Sequence, residues 1–340
     1  MNPSTTSPEP VRAPARDVRG LPKAHLHLHL TGAMRPATLV ELAARHGIEV
    51  PPPLPTTAGT WTDFQSRYDA SRATIRTEDD VRRVIAEAAA DDAADGCAWL
   101  EIQVDPTSYA PVFGGVRPAL EAVLAGAAAA PIPVGVLVAS SWTRSPEHAL
   151  TLARLAASYA DDGVVGFGLS NDERTGVVAD FTPAFQLVEE AGLLAAPHSG
   201  FYTGAEHVRA CVELLGASRI GHGTAAASDP GVLELLASRG VAMEICPTSY
   251  PPFGVHTLST IPVRTFLFEG VPVALATDDP LLFGVGLAGQ YTICRESLGL
   301  TDQELAVLAA DSIRVSAAPA ALKAHLLSQV DTWLAGWTAP

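Results

Sequence analysis

The run Lys23-Ala24-His25-Leu26-His27-Leu28-His29-Leu30 sets an imidazole against a leucine at every second position. Successive side chains of a β-strand point to opposite faces, so the pattern predicts a strand with its three histidines on one side and its leucines packed on the other. His27 and His29, two residues apart, suit a borderline divalent ion, which favours imidazole nitrogen. His25 lies deeper in the strand and is assigned a packing role. Further along, His198, His222 and Thr277-Asp278-Asp279 stand at the ends of short apolar segments, as does Ser170-Asn171-Asp172-Glu173. Any one of these alone fits a buried polar group tied to backbone. Together, three histidines and an aspartate make a site for zinc or a similar ion, with His222 left to orient or deprotonate a water made acidic by the metal.

Such a constellation requires strands whose ends converge. After the His strand, Pro36 opens an amphipathic helix through Leu39, Val40, Leu42 and Ala43 to Gly47, and Pro51-Pro52-Pro53-Leu54-Pro55 breaks the pattern. Helices are predicted over Trp61 to Ile75 and Thr77 to Asp95, the second with an acidic capping box, Thr77 and Asp80. Helices inserted there cover the mouth of a barrel. Strands are then expected at Ala98 to Val104, Ile132 to Ala139, Val164 to Leu169, Leu193 to His198, Arg219 to Gly221, Val241 to Cys246 and Val273 to Thr277. With the first they make eight. Alternating β and α units of this number predict an α/β fold, a closed (β/α)8 TIM-type barrel with extra helices after strand 1 and at the C-terminus, near Gly284 to Leu298, Thr301 to Ile313 and Ala317 to Trp337. The Gly-rich turn of a doubly wound dinucleotide fold is missing after strand 1.

At 340 residues, 48% hydrophobic and 17% charged, the chain can bury a large core. Residues 21 to 340 are expected to form a single barrel domain. Residues 1 to 20, rich in Pro, Ser and Arg without an apolar stretch, are expected to be a disordered lead-in. A net charge of -15 argues against nucleic acid or an anionic membrane as partner and leaves a neutral or cationic small molecule open. Cys97, Cys211, Cys246 and Cys294 form no CxxC pair and are expected to be reduced, in a cytoplasmic protein without a membrane span.

The segments His27-Leu28-His29-Leu30-Thr31-Gly32-Ala33, His198-Ser199-Gly200, Arg219-Ile220-Gly221-His222-Gly223, Ile245-Cys246-Pro247-Thr248-Ser249 and Thr277-Asp278-Asp279-Pro280 resemble, in order, the motifs of the adenosine deaminase family of the amidohydrolase superfamily. The resemblance covers about Leu21 to Leu334. Glu101-Ile102-Gln103-Val104-Asp105-Pro106 and Gly168-Leu169-Ser170-Asn171-Asp172-Glu173 are similar to a bacterial branch that includes aminodeoxyfutalosine deaminases. The resemblance implies one zinc ion per chain, bound by His27, His29, His198 and Asp278. It implies that His222 holds and activates the water, that Asp279 hydrogen-bonds the substrate ring or the water, and that an aminopurine loses ammonia.

One position departs from that pattern in a way that matters chemically. Where the family carries Glu after His-Ala-Gly, to protonate the purine ring nitrogen, this chain reads His198-Ser199-Gly200-Phe201. Phenylalanine has no proton to give, and a positioned general acid is worth about 10²–10⁴-fold in rate. Tyr202, Tyr250 and His256 are candidate substitutes, with Glu206 expected to face away. Thr31 stands where adenosine-selective members carry a ribose-binding Asp. With Asn171, these residues define the expected substrate site: Thr31, Asn171, Phe201, Tyr202 and Tyr250, an aromatic mouth suited to a flat or hydrophobic small molecule. Three readings follow. The first is a zinc hydrolase acting at an electrophilic C–N centre of a purine-like or other N-heterocycle. The second is a repurposed Lewis-acid enzyme of specialised metabolism performing cyclisation, elimination or non-deaminating hydrolysis. The third is a non-catalytic ligand-binding homologue.

Overall fold

The His-Leu run forms strand β1 (Lys23–His29) in a computed structural model that describes residues 15–57 and 59–336. Seven further parallel strands follow: β2 (Cys97–Val104), β3 (Val134–Ser141), β4 (Val164–Ser170), β5 in two pieces (Leu194–Ala195 and His198–Ser199), β6 (Arg219–His222), β7 (Ala242–Ile245) and β8 (Val273–Leu275). Neighbours in sequence are neighbours in the sheet. Hydrogen bonds from His29 N to Asp278 O and from Asp278 N to His27 O join β1 to the end of β8 and close the barrel. Short strands read as nearly continuous apolar runs because a parallel barrel is covered on both faces.

Two details differ from the sequence expectation. The fifth strand is not continuous, because Pro197 has no N–H to give to the ladder. Its carbonyl still accepts from Gly221 N at 3.0 Å, so β5 and β6 stay joined. The three histidines of β1 do not share a face either. A register shift lies between His25 and Leu28, and a strand with an extra residue reverses the side its later side chains take. His25 therefore bonds Asp92 of the outer helix α3 (Glu78–Ala94) through Nδ1 at 2.8 Å and Thr277 N through Nε2 at 3.1 Å, while His27 and His29 face the barrel axis. Its packing role holds.

Helix α1 (Pro36–His46) starts on Pro36 and stops at Gly47, which takes the left-handed conformation at φ 64°. Helices α2 (Trp61–Arg72) and α3 each open on a full capping box, Thr60 with Asp63 and Thr77 with Asp80. Helices at Leu287–Leu298, Asp302–Val315 and Ala320–Ala335 finish the fold. Of the expected lead-in, residues 1–14 lie outside the described residues, whereas Val18–Gly20 make a turn of 3-10 helix with Val18 buried. No helix among the described residues is long and apolar enough to cross a membrane.

Charge lies inside the barrel as well as at its mouth. Arg219, fully buried at the start of β6, binds Glu101 on β2 through Nη2 and Glu244 on β7 through Nε at 2.7 Å. Glu101 also accepts from Trp99 Nε1 at 2.9 Å and Ala317 N at 2.7 Å, and Arg219 donates to Val315 O. Each charge thus has several partners, which a dry interior demands. Arg219→Ala leaves two buried carboxylates without their cation and is expected to cost about 3–5 kcal/mol of stability. A urea midpoint unchanged from wild type would show that the network does not support the barrel.

Candidate metal centre and its cleft

Strand ends deliver the site. His27 and His29 come from β1, His198 from the second piece of β5, His222 from the end of β6 and Asp278 from the turn after β8. One donor atom each from His27, His29, His198 and Asp278 lies within 4.8 Å of all the others. Nε2 of His29 and of His27 stand 3.2 and 3.4 Å from Asp278 Oδ1, and His222 Nε2 is 3.9 Å from Asp278 Oδ2. The His27 and His198 rings meet edge to face at 4.5 Å. Gly221 permits this crowding, since a Cβ there would sit 3.0 Å from His27 Cε1.

The backbone is contorted where the chemistry would be. His222, Asp278 and Asn171 all take positive φ, at 66°, 61° and 67°, and they are the only described non-glycine residues to do so. His, Asp and Asn tolerate this region better than most residues, and such strain concentrates at functional sites.

Electrostatics favour a cation at the centre. Burial opposes charge on His27, yet the neighbouring Asp278 and Glu244 carboxylates outweigh it and push its pKa up to about 10. Burial likewise opposes the Asp278 carboxylate, but His27 and His29 hold it well below the usual range. Buried Nε2 of His27 makes no hydrogen bond. A buried imidazole kept charged beside an acceptor, with an orphaned nitrogen aimed at it, is what a three-His, one-Asp divalent site looks like without its ion, and the donor set fits zinc. Behind it, His27 Nδ1 bonds Glu244 Oε2 at 3.0 Å, leaving Nε2 for the metal. Arg219 and His27 overcome burial to hold the Glu244 carboxyl below its ordinary value.

His222 is a different case. Burial pushes its pKa down to about 3, so its imidazole is neutral. Asp279, beside it, is pushed well above the carboxylate range by burial and by Asp278. Its Oδ1 is buried without a partner, and Gly32 lies so near that a Cβ would collide with it.

A cleft opens over the cluster. His29, His198, His222, Asp278 and Asp279 form its floor, and Asn171, Phe201 and Tyr202 line its walls. Two residues expected in the substrate site stand back from it. Thr31 is buried and bonded to the hydroxyl of Tyr109 at 2.7 Å, so it touches the cleft through that phenol. Tyr250 is fully buried, its hydroxyl accepting from Cys246 N, and its ring packs behind Phe201 and His222. That engagement leaves it poorly placed as a substitute acid.

Sequence reading missed the stripe Trp61, Phe64, Tyr68 and Arg72 of α2, which lines the opposite wall. Spacings of three, four and four mark one face of a helix, a signal present in the sequence. It also missed Tyr109 and Glu244. Glu173 Oε1 accepts from the backbone N–H groups of Phe201, Tyr202 and Thr203 at 2.7–2.8 Å, pinning the loop that carries Phe201.

A parallel eight-stranded barrel with this cage at its C-terminal mouth is the architecture of the metal-dependent amidohydrolases. The chain belongs to the adenosine deaminase family, whose model matches residues 22–333. It is 52% identical to a putative adenosine/adenine deaminase of Streptomyces virginiae, over 95% of this chain and 99% of the relative. It is 35% identical to the aminodeoxyfutalosine deaminase of Streptomyces coelicolor, over 95% and 87%. Its fold matches the crystal structure of an adenine deaminase from Arthrobacter aurescens with a TM-score of 0.84 at 27% identity, covering 93% of this chain and 99% of that one. The protein is thus a deaminase-like hydrolase of a metal-dependent family.

His198→Ala and Asp278→Ala should each abolish binding of one divalent ion per chain. Glu244→Gln should keep the fold and weaken zinc about 10- to 100-fold in a chelator competition; undiminished affinity would remove Glu244 from the orientation of His27.

Proposed function

We propose that the protein is a zinc-dependent hydrolase that adds water at an electrophilic C–N centre of a purine-like or other N-heterocyclic substrate and releases ammonia by altered proton-transfer machinery. His27, His29, His198 and Asp278 would hold the ion, whose contribution when bound is Lewis acidity and a water pKa brought toward neutrality. His222 carries the proposal: it is a neutral, buried imidazole against the cage and on the cleft floor. Its Nε2 faces Asp278 and would take the proton of the attacking water and pass it to the departing amine. Asp279, on the cleft floor with its buried Oδ1 unpartnered, is placed to hydrogen-bond the substrate ring or the water. The aromatic walls exclude water and grip a flat ring.

Phe201 on the cleft wall favours a second reading, in which the cage serves Lewis-acid chemistry other than deamination, such as cyclisation, elimination or non-deaminating hydrolysis. Ammonia separates the two. The test is metal-dependent ammonia release from a panel of aminopurines, adenosine and aminodeoxyfutalosine included, with Phe201→Glu beside the wild type. Turnover by the wild type is expected for at least one member. Silence in the wild type with gain in Phe201→Glu would overturn deamination as the native reaction. His222→Ala should retain the metal and lose about 10²–10⁴-fold in turnover; unchanged turnover in this variant would exclude the proton-shuttling role.

A further inference from the structure

Water adding to the amino-bearing carbon of a neutral heterocyclic amidine leaves negative charge on the adjacent ring nitrogen. That nitrogen must receive a proton, or it must already be positive. Beside His222 the wall offers no proton: the Phe201 ring stands 4.7 Å from the imidazole, centroid to centroid. Three more rings continue it around the cleft. Tyr202 lies 4.7 Å and Phe253 5.8 Å from Phe201, and Trp61 spans 6.4 Å to Tyr202 and 6.2 Å to Phe253. All four line the cavity. The ionisable acids and bases around them are unbalanced. Outside the histidines and aspartates of the metal cluster and its floor, Asp105 and Glu173 carry carboxyl groups into its lining, against the single guanidinium of Arg72. Arg174 stacks on Tyr202 without lining the cavity.

An aromatic enclosure set among carboxyl groups attracts organic cations, because the negative faces of the rings favour positive charge. An apolar ring also accepts an alkyl group where a carboxylic acid would be crowded. The geometry points to a substrate that brings its own positive charge: an amino-heterocycle alkylated at the ring nitrogen next to the amino-bearing carbon, its N-alkyl amidinium seated on Phe201. This rests on the proposed deamination and names the substrate class for it.

The step balances without an enzymic acid. The water oxygen bonds to the amidinium carbon, and the C=N π pair returns to the ring nitrogen and cancels its charge. One proton of the water passes through His222 Nε2 to the amine, and the C–N bond breaks with its electron pair leaving on ammonia. The hydroxyl oxygen closes to C=O as its own proton follows through the same imidazole to that ammonia. A cation and water become a neutral N-alkyl lactam and ammonium.

The test compares 1-methyladenine and 1-methyladenosine with adenine and adenosine on zinc-loaded protein, reading ammonia release and, by calorimetry, binding. Wild-type kcat/KM should favour a methylated compound over its parent by about 100-fold or more, the size of the general-acid effect the substrate replaces. Phe201→Glu should reverse the preference. Phe201→Leu, which keeps an apolar wall and removes the π face, should weaken binding of the methylated compound about 3- to 30-fold, the span of a cation–π contact. Wild-type turnover of the unmethylated compounds at equal or greater efficiency would overturn the substrate class and leave the deaminase reading standing. Tight, Phe201-dependent binding of a methylated compound without ammonia would support cation recognition and overturn deamination. Absence of both binding and ammonia with the methylated compounds would overturn the inference outright.

Discussion

A buried arginine between two carboxylates holds this structure in order. Arg219 connects β6 to Glu101 on β2 and to Glu244 on β7, and Glu244 in turn fixes the His27 ring. Two carboxylates this deep would be ruinous alone, and the cation is what lets them stay. One consequence runs upward to the mouth. The orientation of His27 is set by charge inside the barrel, so the His–Asp cluster is anchored to the core. The other runs downward, where Ala317 N and Val315 O tie the C-terminal helices to the same network.

The clustered His and Asp side chains of β1, β5 and the turn after β8 can meet only if the barrel closes on register. The bond pair between β1 and Asp278 makes that closure, and it lies within the cage itself. Closing the sheet and building the site are therefore one event. Strained backbone at His222 and Asp278 is sustained by the same surroundings, since each sits where a strand turns into a buried loop.

Much of this could be read from residue order. Apolar runs ending in His, Asp or Asn marked the eight strands and the residues that cluster at the mouth, because parallel barrel strands are short and mostly apolar until they reach the C-terminal face. The opposite facing of His25 could not be read, since a bulge changes pairing without leaving a mark in the alternation. Pro197 did carry the break in β5, as a missing N–H inside an apolar run. The spacing of Trp61, Phe64, Tyr68 and Arg72 announced a helical face, but not the cleft it would cover. Tyr250 followed a family motif closely and still turned inward, because its hydroxyl found the backbone of Cys246. Arg219, Glu101 and Glu244 looked like ordinary charges in strands, and only three-dimensional proximity reveals them as one unit.

The loop that carries Phe201 is gripped by Glu173 through main-chain N–H groups and the Thr203 hydroxyl. Nothing in that grip depends on which side chain residue 201 bears. A single codon change can thus exchange the group presented to the substrate while the stem beneath it, the cage and the barrel stay as they are. In evolutionary terms position 201 is an interchangeable fitting on a fixed mount, and a change of the group presented to the cleft there needs no remodelling of the fold.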